Sequence, residues 1–189
     1  MPILKVLSGC LFAAAVCMLC QVCQAAGTSG GPSSESAALR GNAPNPASAS
    51  ATATYVNVRY DYTVDYPRDL LTPGQEAADG DGLEFSAKPS KAQIAVWGKY
   101  NGIGYTPMQL LRSEEHYGCA GSPASYEVTK KTFIAFSCQT SNNEIFYEKV
   151  AIQGDTLVTL QYVYPIVEQV KWAPVIKQMV ASVRIAGDR

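Results

Sequence analysis

From Tyr55 onward the chain alternates apolar and polar positions: Val56, Val58, Tyr60, Tyr62, Val64 and Tyr66 against Asn57, Arg59, Asp61, Thr63 and Asp65. A period of two predicts a strand with one buried face, which Pro67 ends; the pattern allows one long strand or two short ones hinged near Tyr60-Asp61. A loop rich in Pro, Gly and Asp is expected over Asp69–Gly82. It leads into a hairpin of Leu83–Ala87 and Ala92–Tyr100 around Lys-Pro-Ser-Lys. Thr106-Pro107-Met108-Gln109 combines an N-cap hydroxyl, proline at the first helical position and a capping-box glutamine. It predicts a helix to about Tyr117, with Gly118 placed to end it. A meander follows, with strands near Ser125–Thr129, Thr132–Cys138, Ile145–Ile152 and Thr156–Tyr164. Trp172, Val175, Ile176, Met179, Val180 and Val183 then form the apolar stripe of a closing helix, with Pro174 in its first turn and a separate helical turn after Pro165. Strands and helices in this order predict an α+β fold, an antiparallel sheet with helices packed on it.

The N-terminal part has a different character. Lys5 precedes an uncharged apolar run from Val6 to Val22, and small residues close it at Ala25-Ala26. Residues 1–26 therefore read as a Sec-type signal peptide. A retained anchor is the rival reading, because about 17 apolar residues lie at the lower edge of what spans a bilayer. Cys10 follows Leu-Ser-Gly, but it precedes the apolar core, so it does not suit lipidation. Residues 27–53 hold Gly, Ser, Ala, Pro, Thr and Asn with almost no large apolar side chain, the composition of a disordered linker. Residues 54–186, about 130 residues, suit one globular domain. The predicted setting is the periplasm or the exterior of a bacterial cell, with no membrane span once the signal is cut.

Cleavage simplifies the cysteines. Four of the six leave with the signal, and Cys119 and Cys138 remain. In an oxidising compartment they are expected to form a disulfide, worth roughly 3 kcal/mol for a loop of about 20 residues. Charge excludes little but points away from nucleic acid. Removing Lys5 from the 15 basic residues leaves 14 against 16 acidic, a net charge of −2.

Candidate chemistry is thin. Asp79-Gly80-Asp81-Gly82 suggests a calcium loop, but Ala77 and Lys88 stand where further ligands are required, and a turn entering a strand explains the same residues. His116 and Cys119 are three apart, the spacing of a Cys-His dyad on a helix, and a disulfide at Cys119 would remove it. Glu114-Glu115 reads as a solvated helix face, and no P-loop, GxGxxG or zinc signature is present. No cofactor is implied. The 11 tyrosines mostly occupy buried strand positions; Tyr100 and Tyr105, flanking Asn101-Gly102-Ile103-Gly104, are the candidates for an exposed interaction surface.

Several stretches together resemble a known family: Tyr60-Asp61-Tyr62-Thr63-Val64-Asp65-Tyr66-Pro67, Asp79-Gly80-Asp81-Gly82-Leu83-Glu84-Phe85, Ile94-Ala95-Val96-Trp97-Gly98, Tyr164-Pro165, Pro174-Val175-Ile176 and Ser182-Val183-Arg184. They are similar to small bacterial envelope proteins of the PsbP-like α/β/α-sandwich superfamily, over about Tyr55 to Ile185. The family's aromatic-Gly before the second strand is Tyr60-Asp61 here. The resemblance implies helices packed on an antiparallel sheet and a role as a binding or assembly subunit. No family site is matched, so it transfers no function. The resulting expectation is a non-enzymatic periplasmic binding or adaptor protein with an unidentified envelope partner. An envelope enzyme at Cys119/His116 and a calcium-stabilised module at Asp79/Asp81 are the alternatives.

Overall fold

A computed structural model describes residues 51–186. The expected signal segment, 1–26, and the expected linker up to residue 50 lie outside the described residues.

The opening alternation belongs to two strands, β1 (Thr52–Asn57) and β2 (Tyr62–Pro67), paired antiparallel as a hairpin. Asp61 stands where the family resemblance expects glycine, and it takes the left-handed backbone, φ 49°. Aspartate tolerates that region better than most residues, so the turn closes without glycine. The hairpin corrects one expectation. Asn57 pairs with Tyr62, and cross-strand partners share a face. The inward phase therefore changes between the strands: β2 buries Tyr62, Val64 and Tyr66, whereas β1 buries Asn57 and leaves Val56 exposed, as is Val58 in the turn that follows. The strand also begins two residues before the expected domain boundary at 54.

Buried Asn57 is fully engaged. Its Nδ2 donates to the Tyr55 hydroxyl (3.0 Å), to Glu76 Oε1 (3.0 Å) and to the Gly80 carbonyl (2.9 Å); its Oδ1 accepts from the Tyr60 N–H (2.9 Å). These bonds tie the first hairpin to β3 (Thr72–Glu76) and the turn after it. β3 lies inside the expected loop. It carries Pro73 and Gly74 and is exposed throughout, so it shows no alternation, and proline is tolerated because the strand is an edge.

The remaining elements are β4 (Gly82–Ser86), β5 (Gln93–Tyr100), α1 (Pro107–Gly118), β6 (Ala124–Thr129), β7 (Phe133–Gln139), β8 (Glu144–Gln153), β9 (Thr156–Pro165), α2 (Gln169–Ser182) and β10 (Arg184–Ile185). A seven-stranded sheet runs β3-β4-β5-β9-β8-β7-β6, every neighbour antiparallel. A second sheet has the order β1-β2-β10. The short β10 has no signal of its own in the sequence; it exists by pairing with Tyr62 and Thr63 of β2.

Alternation along the central strands divides the interior in two. One face of the large sheet, with Ile94, Val96, Leu160 and Tyr162, packs against α2 and β2. The other, with Phe136, Phe146, Val150 and Leu157, packs against Leu110 and Leu111 of α1. The α2 stripe buries Trp172, Val175, Ile176 and Met179 as expected. The helix starts earlier than expected, however. A 3₁₀ turn, Ile166–Glu168, runs into Gln169, so Pro174 lies in the helix interior rather than its first turn. It removes the bond to the carbonyl of Val170, an exposed residue where water can replace it.

Cys119 and Cys138 are bonded, with Cα atoms 5.9 Å apart, joining the end of α1 to β7. Gly118 is the last residue of α1, and its need is close approach rather than a left-handed turn. A Cβ there would sit 2.6 Å from the Phe146 ring and 3.2 Å from that of Phe136. Those rings pack against each other with centroids 5.7 Å apart, so neither has free space to retreat. Gly118→Ala is expected to destabilise the protein by about 1–3 kcal/mol. Urea unfolding measures this, and adding Phe146→Leu should recover part of the loss.

Candidate functional site

The segment between β5 and α1 is a loop whose shape is set by Asn101. Its Nδ2 donates to the Tyr105 carbonyl and its Oδ1 accepts from the Tyr105 N–H, both at 2.9 Å. Its own N–H donates to the Asp155 carbonyl (2.8 Å), and Gly104 N–H donates back to the Asn101 carbonyl (2.9 Å). Gly104 has φ 69°, a conformation glycine adopts without steric cost. Thr106, which follows Tyr105, opens α1 with a reciprocal capping box to Gln109, so the loop is fixed at both ends.

The tip of this fixed loop is apolar. Ile103 is 77 % exposed, Tyr100 beside it 61 %, and Tyr117, on the last turn of α1, 78 %. Together with Tyr105, Leu110 and the Lys99–Glu114 pair they line a cleft of about 370 Å³. Lys99 Nζ lies 2.6 Å from Glu114 Oε1 and crosses from β5 to α1.

Both tyrosines proposed from the sequence line this cleft, in different ways. Tyr100 packs its ring 5.0 Å from that of Tyr60 and stays largely in solvent. Tyr105 is half-buried against the α1 core and acts as an anchor for the loop. Ile103 and Tyr117 were not singled out from the sequence. A bare isoleucine between two glycines, where a turn ordinarily carries polar residues, is the signal that could have found Ile103. Tyr117 gave none beyond lying off the apolar face of its helix.

The other candidates fare differently. Cys119 is buried and disulfide-bonded, so it has no thiolate to offer His116, whose ring lies against Tyr117 instead (5.3 Å). The Cys-His alternative loses its nucleophile. Asp79 and Asp81 lie between β3 and β4. Burial raises the Asp81 pKa, the Asp79 charge adds to this, and Arg59 opposes it. Among the described residues, no group of three or more His, Cys, Asp and Glu side chains is placed to hold a metal ion. No described helix is long and apolar enough to cross a membrane.

Glu148 is not among the residues expected from the sequence. It lies on β8, on the α1 face, and is 4 % exposed. Its Oε1 has no hydrogen-bond partner, nor does Oγ1 of Thr159, its diagonal neighbour on β9. Burial, with the nearby Glu114 charge adding to it and Lys99 opposing, pushes its pKa up to about 8. The carboxyl is therefore mostly protonated at neutral pH.

No family model matches the chain, and no curated protein matches it. Among solved structures it is similar to the solution structure of cyanobacterial PsbP (CyanoP) from Synechocystis sp. PCC 6803. The likeness covers 76 % of this chain and 98 % of that one, with 8 % identity and a TM-score of 0.52. At that identity the likeness shows the fold: the chain has a PsbP-like α+β fold, as the sequence resemblance implied.

Glu148 makes stability depend on pH. Its folded pKa lies above the ordinary 4.5, so the folded state holds a proton that the unfolded chain releases. Stability should be full below about pH 4.5 as far as Glu148 is concerned, and should fall as pH rises toward about 8. Urea unfolding between pH 5 and pH 8.5 should show this fall, and Glu148→Gln should flatten it.

Proposed function

We propose that the protein is a non-enzymatic binding or adaptor protein of the bacterial envelope. It holds a partner protein against the rim formed by Tyr100, Ile103 and Tyr117. The observation that carries this reading is Ile103, 77 % exposed at the tip of a loop closed by the two Asn101–Tyr105 hydrogen bonds. An apolar side chain on a mobile loop would lose entropy on binding. On a stapled loop that loss has already been met in folding, so its burial goes more fully into affinity. Aromatic side chains at the rim add area with few rotors, and the Lys99–Glu114 pair supplies a polar border.

The remaining support is contextual. The signal-like residues 1–26 and the linker-like composition that follows them up to residue 50 suit an exported domain on a tether. The disulfide suits an oxidising compartment. An enzymatic role at Cys119/His116 is disfavoured, since its sulfur is already bonded.

Isolation of the affinity-tagged protein from cross-linked envelopes tests the reading. A protein partner should co-purify in fixed proportion. Ile103→Asp should reduce its recovery at least about tenfold, because an apolar contact is lost and a charge takes its place. The variant's thermal midpoint should stay that of the wild type, since Ile103 contributes to neither core. Equal recovery with wild type and variant would rule out this surface.

A further inference from the structure

Among the described residues, α1 covers the β6–β8 side of the large sheet and leaves the same face of β3, β4 and β5 open. That half holds a groove of about 550 Å³, within the range of small-molecule sites, roughly 300–1,000 Å³. Trp97 and Ala95 of β5, Glu84 of β4 and Gln161 of β9 follow the alternation that turns them away from the α2 side, and all four line the groove. Trp97 is half-buried and Glu84 exposed.

The charged side chains that line this groove are of one sign, with Arg59 acting on Asp81 from outside it. Its charged lining residues are Asp81 and Glu84, and no lysine or arginine lines it. Lys99, two residues beyond Trp97 on the same face of β5, is taken by Glu114. Among the described residues neither Asp81 nor Glu84 has a salt bridge within 4.0 Å. Lys88 and Lys91 line a neighbouring hollow that Glu84 also borders, and neither forms a salt bridge with it.

The groove thus combines two carboxylates, Asp81 and Glu84, with the aromatic side chain of Trp97. An ammonium group is attracted to an aromatic face and is satisfied by a carboxylate, and it brings the positive charge the groove lacks.

We propose that this groove binds a small organic cation, its ammonium group over the Trp97 ring and Glu84 as its counter-ion. The site is separate from the Tyr100–Ile103–Tyr117 rim and stands or falls independently of it.

Spermidine is the probe, and the tryptophans supply the signal. Trp172 is 1 % exposed in the α2 core, so a ligand in the groove reports through Trp97. Titration of the full chain at low salt should give a saturable change in emission that weakens as salt is added. Glu84→Gln should weaken binding about tenfold, and Trp97→Leu, followed by calorimetry, about as much. Ile103→Asp should leave it unchanged. Both groove side chains are outside the packed cores, so circular dichroism should show the variants folded. An absent response, or equal affinity in Glu84→Gln, would overturn the proposal. A saturable response to maltotriose but not to spermidine would also overturn it and would assign the groove to neutral glycans.

Discussion

One short helix cannot cover seven strands, and most of what distinguishes this molecule follows from that. Seven strands about 4.8 Å apart make a sheet about 29 Å wide, whereas a helix with its side chains is about 10–12 Å across. On one face the sheet meets the requirement with two layers side by side, α2 and the β1-β2-β10 sheet. On the other face, among the described residues, α1 alone packs, burying Leu110 and Leu111 over the β7–β8 half. The stapled loop, the buried Glu148 and the open groove lie on or beside this under-covered face. The helix is held there by the disulfide at its end and by the contact of Gly118 with Phe146, so it cannot drift toward the open strands.

Much of the fold was legible because its signals are local. The capping box at Thr106 and Gln109, the α2 stripe and the four-strand meander are patterns of near neighbours in sequence, and each is found where expected. The misses have one cause in common: they depend on partners distant in sequence. β3 is a strand only because β4 lies beside it, and β10 only because β2 does. The inward phase of β1 is set by the pairing of Asn57 with Tyr62, which no count of alternating residues within one strand can give. Asn57 itself reads as an exposed polar position, yet it is buried because acceptors from Tyr55, Glu76 and Gly80 converge on it.

The candidate site was legible in part. Tyr100 and Tyr105 flank the loop of the proposed surface; its apolar tip is Ile103, and the staple that fixes the tip is Asn101. Glu148 does carry a signal in the sequence. Phe146, Glu148 and Val150 share one phase of β8, so the acid interrupts an apolar row and must be buried with its neighbours. What no reading of β8 alone could supply is the company it keeps, Thr159 without a partner on one side and the Lys99–Glu114 pair nearby.

The central claim is that a partner protein contacts the loop tip, and site-specific photo-cross-linking in intact cells tests it most directly. A photoreactive phenylalanine derivative would replace Ile103 in one strain and Tyr126, an exposed residue on the distant edge strand β6, in another. The account predicts a discrete, reproducible adduct from position 103 and none from position 126. No adduct from position 103, or the same products from both positions, would contradict it.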